Sequence, residues 1–413
     1  MRFKNAQHIA QWRLCVGCGA CAYICLENRI VLTDRVADGI RPALKAPDCD
    51  GCDHCVNVCP GYTTAHQRHA GSSGIMDELR ESWGPILEIW EGHAVDPDIR
   101  YRGSSGGVAS ALALYCIERE NMHGLLHIAA DPATPYSNKT VLSRTRAEIL
   151  SRTGSRYAPA SPCDSLSHIE AAPNVCAFIG KPCDVAALQK ARSLRSGLDK
   201  KIGIAIGIFC AGTPSTTGTL ELLKKQGVHP DDVQMVRYRG EGWPGTFKAK
   251  VKGKYSGELS YSAAWGFLQK YRPYRCYLCP DGTSEFADIS CGDPWYRNIE
   301  EGEQGLSLVL VRTEKGREIL SGALKAGYVA LERAHPEKLF DSQRNLFLKR
   351  SAVWGRLLAM KAFGIPTPRL EGFSLFRNWM RLSLRDKLRS TAGTARRIIR
   401  RKYYKPVRSG AFD

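Results

Sequence analysis

Short apolar runs alternate with helical patterns through the middle of the chain. The apolar runs have the length of buried strands and lie at residues 86–92, 124–130, 175–179, 202–209 and 305–312. Helical spacing predicts helices at residues 105–119, 220–226 and 315–326. Strands that alternate with helices indicate an α/β core with a largely parallel or mixed sheet.

Both ends of the chain depart from this pattern. Eight of the sixteen cysteines lie between Cys15 and Cys59, and residues 67–74 are polar and Gly/Ser-rich, as is typical of a linker. After Leu339 the pattern becomes helical and basic. The sequence therefore predicts a small cysteine-rich unit, a mixed α/β body and a basic helical tail.

The N-terminal cysteines follow one spacing, which occurs twice. The runs are Cys15-x2-Cys18-x2-Cys21-x3-Cys25 and Cys49-x2-Cys52-x2-Cys55-x3-Cys59. In two-cluster bacterial ferredoxins, three cysteines of each run bind one [4Fe–4S] cluster and the fourth binds the other cluster. We therefore expect a two-cluster ferredoxin-like domain with two ligand sets: the first quartet, Cys15, Cys18, Cys21 and Cys59, and the second quartet, Cys25, Cys49, Cys52 and Cys55.

A zinc knuckle or a disulfide cluster is the alternative for these cysteines. Zinc sites ordinarily use two CxxC pairs and do not need eight cysteines in two such runs. The N-terminus lacks an apolar signal core, and the apolar run at 202–212 is too short to cross a bilayer, so we expect a cytoplasmic protein, where disulfides rarely persist. Iron–sulfur binding is the favoured interpretation, although Leu26 follows Cys25 where proline is usual.

Three loops of the predicted body combine glycine with hydroxyl or cationic residues. They are RGSSGG at 102–107, GSRY at 154–157 and GKPC at 180–183. Loop N–H groups and helix N-termini attract anions such as pyrophosphate, but ordinary helix capping uses the same residue types. A GxGxxG fingerprint is absent.

Four further cysteines form the third quartet. One CxxC pair and two distant cysteines could hold a third cubane or a zinc ion, or could pack without a ligand. Cys291 is compatible with either a ligand or a packing role, and Cys116, Cys163 and Cys176 are typical of small buried apolar residues. The members of the third quartet are Cys183, Cys210, Cys276 and Cys279.

Taken in order, these segments resemble a known family. They are the doubled ferredoxin run, RGSSGGVASAL, GSRYAP, GKPCDVAAL, IFCAGTPS, GWPG and CYLCPDG followed by ADISCGDPW. From about Cys15 to about Leu339 the chain resembles the coenzyme F420 hydrogenase/dehydrogenase beta-subunit family. The resemblance implies a ferredoxin-type domain at 1–66, the family's N-terminal region at 83–160, its flavin and iron–sulfur C-terminal region at 161–340, and a basic helical tail at 341–413.

The resemblance also implies cofactors and their sites. Similar members are iron–sulfur flavoproteins that bind FAD; some reduce or oxidise coenzyme F420, and many bacterial ones lie near polysaccharide genes. The third quartet matches positions where the family keeps cysteines, so we expect two [4Fe–4S] clusters, with a third as the alternative to simple packing. The FAD-lining residues implied by the match are Ser104, Ser105, Gly106, Gly107, Ser155, Arg156, Tyr157, Gly180, Lys181 and Pro182.

These parts predict an FAD- and iron–sulfur-dependent oxidoreductase acting on coenzyme F420 or another reducible small molecule. Cubanes carry single electrons, whereas a flavin accepts them singly and delivers a hydride. The alternative is an electron-relay subunit of a larger complex without its own organic substrate. Expected partners are ferredoxin or another redox protein, with assembly as a homo-oligomer or a complex subunit.

Several individual residues are candidates for supporting roles. Arg156 and Lys181 either face the anionic edge of the flavin or are surface cations. A general acid could be Asp293 or His168, although most such residues are structural. The remaining candidates are Trp243 and Trp295, for stacking or core packing, and His66 and His69, which we expect to face solvent.

The basic charge is concentrated in the tail. The net charge is +18, yet residues 377–408 hold twelve Lys or Arg against one Asp, leaving only about +7 elsewhere. Since this charge lies away from the cysteines, a zinc-stabilised nucleic-acid-binding protein is disfavoured. Phe376, Met380, Leu384 and Leu388 alternate with the cations, so a basic amphipathic helix could contact a membrane surface or an acidic partner. A solvated terminal helix is the plain alternative.

Overall fold

The computed structural model describes residues 2–46, 49, 52–66, 74–300 and 302–407. The predicted linker, apart from Gly74, and His69 lie outside the described residues. The N-terminal unit is built from a short antiparallel hairpin, in which Ile30 pairs with Leu44, and three short helices. Its elements are α1 (Ala6–Gln11), α2 (Ala20–Ile24), β1 (Ile30–Arg35), β2 (Gly39–Leu44), α3 (His54–Asn57) and β3 (Thr63–Ala65).

The body surrounds an eight-stranded sheet. Helices follow most of its strands and pack against its faces. The elements up to the middle of the sheet are α4 (Asp77–Trp83), β4 (Glu88–Ala94), α5 (Pro97–Arg102), α6 (Val108–Glu118), β5 (Leu125–Ala130), β6 (Asn138–Ser143), α7 (Arg146–Ser151), α8 (Ser167–Glu170), β7 (Cys176–Gly180), α9 (Pro182–Leu194), α10 (Ser196–Asp199) and β8 (Ile202–Ile208).

A second, four-stranded antiparallel sheet interrupts the body before the main sheet resumes. Its core is aromatic, with Tyr238 and Phe247 fully buried. The elements of this half are α11 (Thr216–Lys225), β9 (Val233–Arg237), β10 (Thr246–Val251), β11 (Lys254–Tyr255), β12 (Leu259–Ser260), α12 (Tyr261–Leu268), α13 (Tyr274–Tyr277), β13 (Ile289–Gly292), β14 (Ser307–Val311), α14 (Glu314–Lys325) and β15 (Val329–Arg333).

The main sheet has the order β15-β4-β14-β13-β8-β7-β5-β6. Four adjacent strands, β13, β8, β7 and β5, run parallel, and the pairings on either side of them are antiparallel. All five residues of β14 are buried, as expected for a strand covered on both faces. The mixed sheet confirms the predicted α/β body.

The C-terminal region is helical, as predicted, and it contacts both other parts. A short strand within it pairs in parallel with β3, with Arg369 opposite Thr63. No helix among the described residues is long and apolar enough to cross a membrane. Its elements are α15 (Pro336–Ser342), α16 (Arg344–Ser351), α17 (Val353–Ala362), β16 (Arg369–Glu371), α18 (Leu375–Met380) and α19 (Leu384–Arg400).

The ferredoxin-like unit and the body share one apolar core. Ile24 and Val58 of the unit belong to the same buried cluster as Phe178, Val185 and Leu188 of the body. Burying this joint surface stabilises both parts at once, because apolar burial contributes about 25 cal/mol per Å². The cysteine-rich unit is therefore held in a fixed place against the body rather than carried on a tether.

Every strand and helix predicted between residues 86 and 326 is present, within a few residues of its expected ends. The spacing did not predict the second sheet, because β9 to β12 are short and polar on their exposed face. It also missed β6 and β15, which form the two edges of the main sheet and have only one buried residue each.

Candidate functional site

The first quartet gathers at the buried side of the ferredoxin-like unit. Helix α2 contains Cys21, and Cys59 follows α3, so the two short helices bring distant cysteines together. Burial, followed by repulsion from Cys59 and Cys21, raises the pKa of Cys18 well above its usual range. Burial and then Cys15 and Cys59 do the same to the pKa of Cys21.

The second quartet lies nearer the surface. Cys52 is exposed, whereas Cys25 and Cys49 are half-buried. Burial raises the pKa of Cys55 to about 11, with further repulsion from Cys49, Cys52 and Cys25. The pKa of Cys49 is raised by burial and then by Cys25 and Cys52. These four thiols are therefore mutual electrostatic neighbours.

Backbone geometry around the cysteines depends on two glycines. Gly17 and Gly19 have φ of 76° and 89°, and a Cβ on them would lie 2.9 Å from the Ile40 oxygen and 2.8 Å from the Asp164 nitrogen, respectively. The Gly17 N–H donates to the Cys15 Sγ at 3.3 Å. Such N–H···S bonds stabilise thiolate charge and tune a cluster's potential.

The third quartet is assembled from three distant segments. Cys183 lies in the first turn of α9, Cys210 follows β8, and the CxxC pair lies in and just after α13. Burial raises the pKa of Cys183 well above its usual range, and Lys181 counteracts it while Cys210 and Cys279 add repulsion. Burial also raises the pKa of Cys210 to about 11, opposed by Lys349.

One cavity joins this quartet to the ferredoxin-like unit. All four third-quartet cysteines line it. Cys15 of the first quartet lines the same cavity, together with Lys181, Arg275 and Lys349. The Arg275 Nε also donates to the Gly61 oxygen at 3.1 Å, which connects the CxxC segment to the end of the second cysteine run.

Ligand spacing differs between a single ion and a cubane. Among the described residues, no three His, Cys, Asp or Glu side chains converge as a single metal ion requires. The four thiolates of a cubane bind four different irons, so they do not converge on one point.

The loops expected to line FAD occupy two places. The Ser155 N–H donates to the Ser104 Oγ at 2.6 Å, so the SSGG and GSRY loops are in contact. Neither lines the cavity of the third quartet, whereas the GKPC loop, through Lys181, Pro182 and Cys183, does. Helix α6 begins after Gly107 without a side-chain cap, so its first N–H groups have no side-chain acceptor.

Both expected flavin cations have partners within the protein. The Arg156 guanidinium donates to Asn138 and to the carbonyls of Pro135, Ser137 and Val236, which makes it a structural cation. The Lys181 Nζ donates to both carboxylate oxygens of Asp184 at 2.7 Å. Burial alone would lower the pKa of Lys181, but the Asp184 charge outweighs it and raises that pKa.

An aromatic surface lies beside the GSRY loop. Tyr261 and Trp295 stack at 5.3 Å with an interplanar angle of 3°, and Trp243 stacks on Trp295 at 5.9 Å. Asp293 accepts two hydrogen bonds from Arg239, at 2.7 and 2.9 Å, and one from the Trp243 Nε1 at 3.0 Å. Both side-chain oxygens of Asp293 therefore have donors within the protein, and its predicted alternative as an acid, His168, is exposed on α8.

The structure also bears on three further predictions, which concern His66, Cys291 and the three cysteines expected to be buried. His66 was expected to face solvent, and this is wrong: its Nε2 is 2.7 Å from Glu285, and its ring stacks on Phe286 at 4.5 Å. Cys291 lies on β13 and packs into the core of the main sheet, and burial raises its pKa to about 12. The buried positions of Cys116, Cys163 and Cys176 are confirmed.

Sequence reasoning missed five charged residues of the cavity, which are Asp38, Arg41, Arg275, Asp281 and Lys349. Arg275 and Asp281 flank the CxxC pair and could have been noticed there. Lys349 lies on α16, about seventy residues further along, and its Nζ is 3.3 Å from the Cys210 oxygen. No local pattern connects Lys349 to the cysteines, because it reaches them only through the packing of the C-terminal helices.

Comparison with known families agrees with this architecture. The model of the coenzyme F420 hydrogenase/dehydrogenase beta subunit N-terminus matches residues 89–167, and that of its C-terminus matches residues 174–337. Together they span more than half of the chain. A 4Fe–4S dicluster domain matches residues 14–62.

Individual relatives are distant in sequence. The coenzyme F420 hydrogenase subunit beta of Methanococcus voltae is 26% identical, covering 67% of this chain and 95% of the relative. A coenzyme F420-dependent sulfite reductase of Methanocaldococcus jannaschii is also 26% identical over 82% of this chain, which spans 49% of that relative.

A solved structure shares the fold. A chain of the F420-reducing [NiFe] hydrogenase complex from Methanosarcina barkeri aligns with a TM-score of 0.54 and 23% identity, covering 70% of this chain and 97% of that one. The relatives are thus subunits or chains of oxidoreductases. The chain belongs to the coenzyme F420 hydrogenase/dehydrogenase beta-subunit family and carries a 4Fe–4S dicluster domain at its N-terminus.

Proposed function

We propose that the chain is an oxidoreductase subunit that moves single electrons through [4Fe–4S] clusters to FAD and an organic substrate. The observation that carries this proposal is the shared cavity, which Cys15 of the first quartet lines together with all four cysteines of the third quartet. A relay needs neighbouring centres, and this cavity makes the third quartet the next neighbour of the dicluster unit.

The donor set fits iron–sulfur clusters. Burial penalises the isolated thiolates, as the raised pKa values of Cys18, Cys21 and Cys183 show. Iron supplies the positive charge that would stabilise them. The first and second quartets would each hold one [4Fe–4S] cluster, and the third quartet would hold a third.

The different exposure of the three quartets indicates where electrons would enter or leave the chain. The second quartet includes the exposed Cys52, the first quartet is buried, and the third lies within the body. A redox protein such as ferredoxin would therefore dock at the second quartet. Electrons would travel from that surface inward, or outward along the same centres.

FAD fits part of the expected site. Two features support it: the helix α6 N-terminus without a side-chain cap, which suits a pyrophosphate, and the aromatic surface of Tyr261 and Trp295, which suits a planar ring. The bound flavin would supply two-electron hydride chemistry. Arg156 and Lys181 would position neighbouring backbone rather than contact the phosphates, since both are already paired.

The organic substrate would approach the same aromatic surface. The relatives named above act with coenzyme F420, and a deazaflavin-like ring is a planar group that stacks on aromatic side chains. Arg239 lies 4.4 Å over the Tyr261 ring and is held by Asp293, so its charge stays fixed beside the stack. These residues would bind and orient the substrate without supplying a proton.

Anaerobic purification with quantified iron, sulfide and flavin tests the proposal. About twelve irons and one FAD per chain are expected, with reduced ferredoxin bleaching the flavin absorbance. An iron content of about eight per chain, with FAD bound, would contradict only the third cluster. A full iron content without flavin, even after incubation with FAD, would contradict the proposed enzymatic function. The second candidate, an electron-relay subunit, would then remain. The internal pairing of Arg156 and Lys181 favours this candidate.

A further inference from the structure

Helix α19 turns a polar face inward. Its buried residues, Ser390, Thr394 and Ile398, follow one another at four-residue spacing and face the rest of the C-terminal region. The Trp379 Nε1 donates to the Ser390 Oγ at 3.0 Å, which fixes the helix against α18. Apart from Ile398, the larger apolar side chains of the helix are therefore left on the outside.

The outer face carries two parallel stripes. The apolar stripe recurs at intervals of four, seven and four residues, and the basic stripe has the same intervals one residue later, so the two run side by side along the helix. Leu384, Leu388 and Ile399 are 79%, 66% and 59% exposed. The apolar stripe is Leu384, Leu388, Ala395 and Ile399, and the basic stripe is Arg385, Arg389, Arg396 and Arg400.

The basic stripe is not used within the fold. Arg377 and Arg381, just before it, both pair with Glu81, and Arg397 lies 4.5 Å over the Tyr277 ring. By contrast, no acidic side chain among the described residues forms an ion pair with any arginine of the basic stripe. These four charges are therefore available for an external anionic surface.

We propose that the outer face of α19 docks the protein on an anionic lipid bilayer. An acidic protein or a nucleic acid would satisfy the arginines, whereas a bilayer also offers a continuous apolar layer beside its phosphates along a helix of about 25 Å. The apolar stripe enters the acyl boundary while the arginines contact the headgroups. Phe376 and Met380 of α18, each 51% exposed, supply further apolar surface just before the helix.

Vesicle co-sedimentation of the full chain tests this proposal, independently of its redox function. The probes are vesicles of phosphatidylcholine alone and of phosphatidylcholine with about a third phosphatidylglycerol. Binding is expected only to the second kind. Replacing the four arginines of the basic stripe by Gln should weaken it about a hundredfold or more, since each basic residue contributes on the order of 1 kcal/mol.

Two variants identify the kind of surface. The double change Leu384→Ser with Leu388→Ser keeps the charge and should weaken binding at least about tenfold, because two exposed leucines lose their apolar burial. The matched control replaces four exposed lysines on other faces by Gln and should keep most of the binding: Lys139, Lys252, Lys254 and Lys325.

Three outcomes would overturn the proposal. The first is no binding to anionic vesicles. The second is equal loss in the control, which would show attraction by net charge only. The third is binding that the leucine variant leaves unchanged, because pure charge attraction suits an acidic protein or a nucleic acid instead. Circular dichroism of each variant checks that the helical content is retained.

Discussion

The first and third quartets are assembled by opposite routes. The first is drawn from one short cysteine-rich segment, and two helices of four and five residues are enough to close it. The third joins Cys183, Cys210 and a CxxC pair across nearly a hundred residues, and its members meet only where β7 and β8 end side by side. A local site can thus be recognised from spacing, whereas a distributed site depends on the whole sheet.

The two quartets also differ in the charges around them. The third quartet lies among Lys181, Arg275 and Lys349 in the shared cavity, and Lys349 comes from a helix beyond the family's matched region. Three cysteines of the first quartet, Cys18, Cys21 and Cys59, lie in the apolar joint core, and only Cys15 lines the shared cavity. Since nearby cations stabilise a reduced cluster, we expect the third centre to have the higher reduction potential.

Removing a first-quartet ligand should have the largest effect. Cys59→Ala takes a ligand from a buried set at the boundary between the unit and the body, so we expect a loss of about four irons per chain and reduced yield. Iron analysis of anaerobically purified protein measures this. Cys291→Ala, a buried cysteine outside all three quartets, is the matched control and should retain the iron.

Cys210→Ala tests whether the third quartet binds a cluster independently of the first two quartets. We expect the loss of about four irons while the dicluster electron paramagnetic resonance signals remain, because the first and second quartets do not need Cys210. Unchanged iron content would mean that the third quartet only packs, and the comparison between the two sites would then concern structure alone.

Glu285→Gln tests how firmly the ferredoxin-like unit is joined to the body. Glu285 is buried between His66 of the unit and Arg350 of α16. Burial alone would raise the pKa of Glu285, but Arg350 and the His66 hydrogen bond outweigh it and lower it to about 2. We expect the substitution to lower the free energy of unfolding by about 3 kcal/mol, since it leaves Arg350 without its partner.

The pH dependence of that pair has a definite sign. A carboxyl with a lowered folded pKa contributes stability above its unfolded value of about 4.3, and this contribution is lost as pH falls towards 2. Chemical denaturation at several pH values should show the wild type losing more stability than Glu285→Gln across this window. Glu318→Gln, on an exposed residue, is the control; a parallel loss in all three proteins would contradict the prediction.

Lys349→Met should have the smallest effect. Removing a cation close to the third quartet should lower that centre's reduction potential by roughly 50–100 mV and leave the dicluster potentials nearly unchanged. Redox titration followed by electron paramagnetic resonance measures both. Lys361→Met, an exposed residue on α17, should change neither; equal shifts at all centres would show that Lys349 does not act locally.

Cysteine spacing and apolar periodicity were sufficient to predict much of the fold. The doubled cysteine run led directly to the dicluster unit, and continuous apolar runs such as β8 and β14 marked buried strands. The second sheet was not predicted because its strands are short or partly exposed, and β6 and β15 were not predicted because each has only one buried residue. The burial of His66 escaped for another reason: its partner Glu285 lies more than two hundred residues away.

The sequence by itself determined the family, the ferredoxin-like unit and the mixed body, because those signals are local: ligand spacing, apolar runs and loop motifs in order. Only the tertiary structure decided that the first and third quartets line one cavity, that Lys349 enters it, and that Arg156 and Lys181 are already paired. The reason is physical: charges and thiols act over a few ångströms in space, and the packing of sheet and helices sets those distances.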